Sequence, residues 1–339
     1  MKNTSTLTLL KFTLISGILI SISSNSWLGV WMGLEINLLS FIPIMSSTDD
    51  MMTTEASMKY FIVQAMASSI LIFMITTLHL MKMYKTDSSS YSTMLMNIPL
   101  LVKLGAAPFH WWFPSVMEGL LWNNCFILLT IQKLAPLMLI SYTLNINELS
   151  NLIILASVIV GSMGGYNQTS LRKILTYSSI NHLGWMISAT ILSKSMMMMY
   201  LIIYSTMNLI MTSIFNSTNS SHINQIHSMD HYSAPMKILT MLTLLSLGGL
   251  PPLIGFLPKW LMILYMMNTQ YLLTITTMIM TSLITLFYYM RLAYATFMIY
   301  DMKTKWNNYK SNMNTNLSVL LVLSTTGMIS LTPLIYLLY

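Results

Sequence analysis

Two stretches of the sequence decide the fold: residues 247–258 read LGGLPPLIGFLP, and residues 104–114 read LGAAPFHWWFP. Each begins with leucine and glycine and continues through a proline and an aromatic residue to a last proline. Proline removes a backbone donor and clashes with the preceding turn, so each stretch predicts a helix that bends or unwinds. In lipid, freed carbonyl groups cost several kcal/mol each unless protein or water satisfies them. We therefore expect both breaks to line cavities.

The sequence around these stretches is too apolar for a water-facing surface. Of the 339 residues, 55% are hydrophobic and only 7% are charged, whereas soluble domains carry about 25% charged residues. This composition excludes a soluble enzyme, a nucleic-acid module and a disordered protein, and it favours a polytopic helical membrane protein. The single cysteine, Cys125, excludes an internal disulfide, an iron–sulfur cluster and a structural zinc site.

The apolar segments predict an all-α membrane protein with about eleven transmembrane helices, because a bilayer core requires about 20 apolar residues per helix. The predicted spans are residues 6–24, 27–45, 57–80, 93–113, 124–144, 149–168, 172–192, 196–216, 236–266, 271–299 and 316–338. Little sequence remains for loops, and the polar connections 217–235 and 301–314 are too short to fold alone. The whole chain, residues 1–339, is predicted to be a single transmembrane domain.

The two interrupted helices are the fourth and ninth predicted spans. Because they are an odd number of spans apart, the second is upside down relative to the first, which is typical of transporters with inverted repeats. We expect a first repeat at 6–144, a second repeat at 149–299 and an additional helix at 316–338. The alternative is that glycine and proline are simply common in membrane helices.

Basic residues are unequally divided between the two faces of the membrane. Eight lie on the face that holds the N-terminus and three on the opposite face: Lys2, Lys59, Arg172, Lys173, Lys237, Lys303, Lys305 and Lys310 against Lys82, Lys85 and Lys194. The positive-inside rule then predicts an N-terminus in the cytoplasm or matrix and a C-terminus on the opposite side. No basic run with interleaved aromatic residues indicates nucleic-acid binding. The methionine count of 35 fits a mitochondrial genetic code with two methionine codons.

Four ionisable residues lie deep inside predicted spans: Glu35, Lys103, Lys133 and Lys259. Such residues cost about 2.5–3.5 kcal/mol each at a helix centre, so they persist mainly where they face a protein interior or a water path. Lys103 directly precedes the first break and Lys259 directly follows the second. Lys11 lies near a helix end and is expected to snorkel to the interface.

These residue types suit proton transfer. A lysine in a low-dielectric site has its charged form disfavoured, and a nearby carboxylate restores it, so a Glu–Lys pair of changing separation can take up and release a proton. His110 and His182 are candidates for a relay, although a buried histidine is more often only hydrogen-bonded. His222, His227 and His231 have Asp230 as their only added ligand, so no metal site is predicted.

The sequence resembles the mitochondrial NADH dehydrogenase subunit 2 family over essentially its whole length. The segments that carry the resemblance are residues 27–45, 55–61, 103–110, 132–136, 178–185 and 247–260. The resemblance implies an antiporter-like fold with two inverted five-helix repeats. It also implies a core membrane-arm subunit of respiratory complex I, the proton-pumping NADH:ubiquinone oxidoreductase of the mitochondrial inner membrane.

The resemblance further implies a role for each matching residue. Glu35 is the acid of the proton channel, Lys103 its paired lysine, Lys133 the central lysine and Lys259 the exit-side lysine, while His182 lies on the polar axis. Quinone reduction elsewhere would change the Glu35–Lys103 interaction, after which Lys133 would pass protons toward Lys259.

No cofactor is expected on this chain, since the resemblance places flavin, iron–sulfur clusters and ubiquinone in other subunits of the complex. The expected partners are neighbouring antiporter-like and small mitochondrially encoded subunits, accessory subunits and inner-membrane phospholipids. Two alternatives stay open: a stand-alone cation/proton antiporter, which would exchange ions without partners, and a structural brace whose channel is inert.

Overall fold

The computed structural model describes residues 4–47, 50–83, 89–144, 148–227, 234–251, 253–267 and 271–298. The helices are α1 (Thr4–Ser23), α2 (Trp27–Met45), α3 (Met51–Met83), α4 (Ser89–Leu104), α5 (Trp112–Glu118), α6 (Trp122–Leu129), α7 (Ile131–Thr143), α8 (Glu148–Tyr166), α9 (Leu171–Leu192), α10 (Lys194–Thr218), α11 (Ile223–His227), α12 (Ala234–Gly248), α13 (Phe256–Met267) and α14 (Leu272–Met298). In these ranges, the only β-structure is a single antiparallel bridge between Ser170 and His222.

The predicted all-α class is confirmed, and helices occupy all of the predicted spans that fall within the described residues. Seven stretches there are long and apolar enough to cross a bilayer. The helix α9 is long enough but more polar, since it carries Asn181 and His182. The predicted span 316–338 lies outside the described residues.

The chain divides into two compact units, Met1–Ser157 and Val158–Tyr339. Each is described separately below. The repeat limits predicted at 6–144 and 149–299 stay a prediction.

In the first unit, α1 and α2 pack closely through small residues. A Cβ atom at Gly33 would lie 2.6 Å from the Ser21 nitrogen, and one at Gly17 would lie 2.9 Å from the Asn37 nitrogen. Small residues at such positions let two backbones approach in a membrane, where apolar burial alone gives no driving force. This packing fixes α2, which carries Glu35, against its neighbour.

Polar side chains join helices of the first unit that are distant in sequence. Asn37 on α2 and Gln132 on α7 exchange two hydrogen bonds, with N–O distances of 2.9 and 3.1 Å. Asn124 on α6 donates to the Ile44 carbonyl at 3.2 Å. Because these bonds replace water that the bilayer lacks, they set the position of α7 relative to α2.

In the second unit, α9 is the most deeply buried helix. Residues 178–190 are buried without exception. Gly161 on α8 makes a close approach possible, since a Cβ atom there would lie 2.9 Å from the Asn181 Cα. A helix that is buried on all sides belongs to the core of its unit, so the polar residues of α9 face protein.

Both predicted breaks are present. The first lies between Leu104, which ends α4, and Trp112, which begins α5; the second lies between Gly248 and Phe256. Each helix before a break ends with a left-handed glycine, Gly105 at φ 71° and Gly249 at φ 84°. Only glycine adopts this conformation without strain.

The hydrogen bonds at the two helix ends have the same Schellman pattern. The Ala106 amide donates to the Leu101 carbonyl at 3.2 Å, and the Gly105 amide donates to the Val102 carbonyl at 3.1 Å. The Leu250 amide donates to the Leu245 carbonyl at 3.3 Å, and the Gly249 amide donates to the Ser246 carbonyl at 3.0 Å. Each break therefore begins with a properly capped helix.

The fifth span contains an interruption that the sequence analysis missed. The predicted span 124–144 includes no marked break, whereas α6 ends at Leu129 and Thr130 has φ −122° and ψ −69°, which is not helical. The helix α7 begins directly after this residue and continues through Pro136 to Thr143. The Thr130 hydroxyl donates to the Phe126 carbonyl at 2.7 Å.

Candidate functional site

The three lysines predicted to lie deep in the membrane are buried in protein. Their exposed fractions are 8% for Lys103, 3% for Lys133 and 5% for Lys259. Lysine is almost never fully buried unless it has a partner. The groups around each ammonium therefore decide what the site can do.

Glu35 and Lys103 are placed to interact at a distance. Glu35 is half-buried on α2, and its carboxylate interacts electrostatically with the Lys103 ammonium. Both side chains lie in the described part of the chain, and no ion pair within 4 Å joins them. Their attraction therefore depends on a separation that a small helix movement can change.

Neutral donors satisfy the carbonyl groups freed at the first break. The Trp112 indole nitrogen donates to the Val102 carbonyl at 3.0 Å. The Gln64 amide nitrogen, on α3, donates to the Lys103 carbonyl at 3.4 Å. Protein side chains thus supply the hydrogen-bond donors that lipid lacks.

His110 lies on the outer side of the first break. Its Nδ1 atom is 3.2 Å from the Pro108 carbonyl, and its ring centroid is 5.7 Å from that of Trp111, which is 81% exposed. The structure brings His110 into hydrogen-bond contact with none of the described lysines. Its relay role stays a prediction without a supporting contact.

Lys133 lies one turn into α7, directly after the unpredicted interruption. Its amide donates to the Thr130 carbonyl at 3.1 Å. Its ammonium lies 5.1 Å from the ring centroid of Phe113, which is 1% exposed. The π face of an aromatic ring attracts a cation more strongly when both are desolvated, so Phe113 stabilises the charged form of this lysine.

Lys259 caps the broken helix of the second unit. Its Nζ atom donates to the Gly248 carbonyl, the last of α12, at 2.9 Å. It also lies 6.0 Å from the Trp185 ring centroid. The C-terminal end of a helix carries partial negative charge, so α12 stabilises the ammonium. A Cβ atom at Gly249 would lie 3.0 Å from both Cδ and Nζ of Lys259, so this glycine leaves room for the lysine.

His182 lies on α9 beside a small cavity at the second break. Its Nδ1 atom is 2.8 Å from the Tyr200 hydroxyl, and its ring centroid is 5.1 Å from that of Tyr204. The cavity has a volume of about 10 Å³, and its lining also includes Ser246 and Pro258. A cavity of this size holds about one water molecule. The second break thus lines a cavity, as its sequence predicts.

Several residues of the site were missed from the sequence. Trp112 and Gln64 satisfy the first break, and Tyr200 bonds His182. Trp112 lies within the stretch 104–114 that predicts the first break, so the sequence offered a signal for this residue. Gln64 and Tyr200 gave none, because their partners are 39 and 18 residues away.

The structure describes the histidine loop only in part. His222 belongs to the bridge with Ser170, and Asp230 and His231 lie outside the described residues. In that part of the chain, no three histidine, cysteine, aspartate or glutamate side chains are grouped as metal ligands.

Comparison with known proteins places these features in one family. A family profile described as NADH:quinone oxidoreductase/Mrp antiporter, transmembrane, matches residues 24–285. NADH-ubiquinone oxidoreductase chain 2 of Anopheles gambiae is 48% identical over 325 residues, which cover 93% of this chain and 94% of that protein. The protein of the same name from Locusta migratoria is 42% identical over 331 residues, 97% of each chain.

Solved structures share the fold at low identity. A chain of respiratory complex I from Thermus thermophilus matches with a TM-score of 0.83 and 21% identity, over 96% of this chain and 77% of that one. A chain of the Mrp complex from Dietzia sp. matches with a TM-score of 0.75 and 12% identity, over 96% of this chain and 75% of that one. The predicted antiporter-like fold is confirmed.

Proposed function

The chain belongs to the NADH-ubiquinone oxidoreductase chain 2 family, and from this premise we propose that its buried lysines carry protons across the membrane. It is a multi-pass subunit of complex I in the mitochondrial inner membrane, and it assembles with other subunits of that complex. The oxidation of NADH and the reduction of ubiquinone take place in those other subunits. This chain contributes proton translocation.

The observation that carries the proposal is the burial of three lysines beside interrupted helices. Each ammonium is placed against a partner that stabilises charge: the field of Glu35 for Lys103, the Phe113 ring for Lys133 and the Gly248 carbonyl for Lys259. In the described part of the chain, neither Lys103 nor Lys259 has a carboxylate in direct contact. The charged form of a lysine with such a partner is stabilised, and the lysine can still release its proton. A direct ion pair in the protein interior would instead keep the proton on the lysine.

Glu35 and Lys103 are suited to couple the chain to events outside it. At an effective dielectric constant of about 20, two unit charges 4 Å apart attract by about 4 kcal/mol. Because no direct contact fixes the separation of the two side chains, movement of α2 relative to α4 changes this attraction. Separation favours release of a proton from Lys103, and approach favours its uptake.

Lys133 and Lys259 accept and release protons in their own units. The Phe113 ring and the Gly248 carbonyl are fixed by the packed helices α5 and α12, so the environment of each ammonium is preorganised. His182 and the water-sized cavity beside it provide a relay in the second unit. We place the N-terminus on the matrix side, which agrees with the eight-to-three division of basic residues.

The test is the substitution Lys133→Met in the intact complex, reconstituted in liposomes with NADH and ubiquinone. Methionine keeps most of the stem and removes the ammonium. We expect coupled turnover to fall on the order of 10²-fold, the contribution of a positioned acid–base group. Protons translocated per NADH oxidised are measured from the pH change of the lumen.

The matched control is Lys59→Met, which removes an exposed lysine of the same unit from an ion pair with Glu55 at 3.7 Å. Solvent-exposed ion pairs contribute little to protein stability, so this variant should have the turnover and proton yield of the wild type. Unchanged turnover and unchanged proton yield in Lys133→Met would remove this lysine from the mechanism.

A further inference from the structure

We propose that Tyr200 and a methionine-lined cavity next to it form a closed gate on a proton exit that runs from His182 to the membrane face at which α10 begins. The proposal rests on the proposed function, because it assumes that protons reach His182. It assigns an exit within the second unit and names the side chains that close it.

Two cavities meet at Tyr200. The first, of about 10 Å³, is the cavity beside His182. The second is also about 10 Å³, and Met196, Met199 and Leu261 contribute to its lining. Tyr200, Ile203 and Pro258 line both cavities, so these three side chains form the wall between them. Tyr200 is 2% exposed, and its hydroxyl is already bonded to His182.

The two cavities differ in chemistry. The first is bordered by the polar groups of His182, Tyr204 and Ser246, which can hold a water molecule by hydrogen bonds. Apart from Tyr200, the second is bordered only by methionine, leucine, isoleucine and proline. An apolar space of this size stays dry, and a dry constriction blocks ions and protons until it is wetted.

The second cavity lies toward the start of α10. Met196 precedes Tyr200 on that helix by about one turn and Met199 directly precedes it, and the helix begins at Lys194. Leu261 and Met262 follow the break on α13 and run away from it. In the orientation proposed above, this end of α10 is the intermembrane side, so the order of groups is that of an exit.

The Tyr200 hydroxyl can pass a proton through the wall without a change in its own charge. Its oxygen accepts the proton from Nδ1 of a doubly protonated His182 while its own proton passes to a water molecule that enters the second cavity. The tyrosine is neutral before and after the step, and the histidine returns to its neutral form. Rotation of the hydroxyl then restores the first arrangement.

The first test of the gate is to make the second cavity polar enough to hold water. Met199→Ser places a hydroxyl in the dry cavity, while Met198→Ser changes the neighbouring residue, which lines neither cavity. Both variants are prepared in the intact complex and reconstituted in liposomes. In the absence of NADH, we expect an imposed pH gradient to decay several-fold faster with Met199→Ser and at the wild-type rate with Met198→Ser. Equal decay rates in an assembled Met199→Ser complex would overturn the gate.

The second test removes the hydroxyl and keeps the ring. Tyr200→Phe should leave the passive decay unchanged and lower coupled turnover on the order of 10²-fold. Tyr288→Phe, at a buried tyrosine of the same unit that lines neither cavity, should turn over normally. If the Met199→Ser complex does not assemble, the turnover of Tyr200→Phe still tests the exit through Tyr200.

The outcomes separate this proposal from the one on which it rests. If Lys133→Met slows the enzyme and Tyr200→Phe does not, the exit through Tyr200 is wrong and proton transfer by the lysines stands. If neither variant slows the enzyme, proton transfer through Lys133 is wrong together with the exit through Tyr200.

Discussion

The two helix breaks share a sequence motif but are stabilised by different chemistry. At the first break, an indole and a primary amide donate to the freed carbonyls of Val102 and Lys103. At the second break, the donor is the ammonium of Lys259, on the carbonyl of Gly248. The first break is therefore held by groups whose charge is fixed, whereas the second is held by a titratable group.

This difference gives the two lysines different tasks. The Lys103 ammonium is not needed to satisfy its break, so it remains in the field of Glu35 and responds to movement of α2. The Lys259 ammonium contributes to the stability of the break itself. Loss of its proton weakens the cap on α12, because hydrogen bonds to charged groups are roughly twice as strong as those between neutral groups. We therefore expect protonation and backbone conformation to be linked at the second break and independent at the first.

The largest effect should come from replacing Lys259. Lys259→Met removes both the proton carrier and the donor to Gly248, so we expect a loss of turnover on the order of 10²-fold and a destabilisation of about 1–3 kcal/mol from the unsatisfied carbonyl. Turnover of the reconstituted complex and its thermal inactivation measure the two effects.

The variant Lys259→Arg separates these two roles. Arginine keeps a positive donor for the Gly248 carbonyl but cannot release its proton at accessible pH. We expect thermal stability near that of the wild type together with the turnover loss of Lys259→Met. An arginine variant that pumps normally would show that Lys259 acts only as a cap.

The next largest effect should come from Gly249→Ala, compared with Gly105→Ala. Both substitutions force a Cβ into the left-handed region, at a cost of about 1–2 kcal/mol. At Gly249, the Cβ also displaces the Lys259 side chain, whereas at Gly105 the nearest side-chain atoms, at 3.3 Å, belong to Phe113 and Trp112.

We therefore expect similar losses of thermal stability in the two alanine variants but unequal losses of turnover. Gly249→Ala should be slower by about tenfold, which corresponds to about 1.4 kcal/mol, and Gly105→Ala should stay close to the wild type. Equal turnover in the two variants would argue that the Lys259–Gly248 contact has no part in proton transfer.

The positions of both breaks could be predicted from the sequence because their cause is local. Proline and glycine change the backbone at their own positions and one turn before them. Which residue of one break corresponds to which residue of the other could not be predicted in the same way. The Leu-Gly pairs align Gly105 with Gly248, but the left-handed residues are Gly105 and Gly249. The structure therefore shifts the second cap by one residue relative to the motif.

The parts that were missed depend on contacts between distant helices. The interruption lies at Thr130, whereas α7 continues through the nearby Pro136, so the proline did not mark the position of the interruption. The hydrogen bond from Gln64 to Lys103 and the pair of Asn37 with Gln132 join segments 39 and 95 residues apart. The pattern of apolar residues along one helix does not indicate which residue of a distant helix will be a hydrogen-bond partner.

The smallest effect should come from Trp112→Phe. Phenylalanine keeps an aromatic ring in the place that packs against Tyr60, with which the Trp112 ring now makes an edge contact at 5.8 Å, but it removes one of the two donors to the Val102 carbonyl. The Gly105 amide still donates to that carbonyl at 3.1 Å, so we expect a destabilisation of about 0.5–1.5 kcal/mol and faster amide hydrogen exchange in the last turn of α4. Turnover should change by less than about twofold, because the Lys103 ammonium and Glu35 are untouched. Trp111→Phe, at the exposed neighbouring tryptophan, is the matched control and should leave hydrogen exchange unchanged. A turnover loss in Trp112→Phe as large as that in Lys259→Met would mean that the first break, too, is linked to proton transfer, and the contrast between the two breaks would fail.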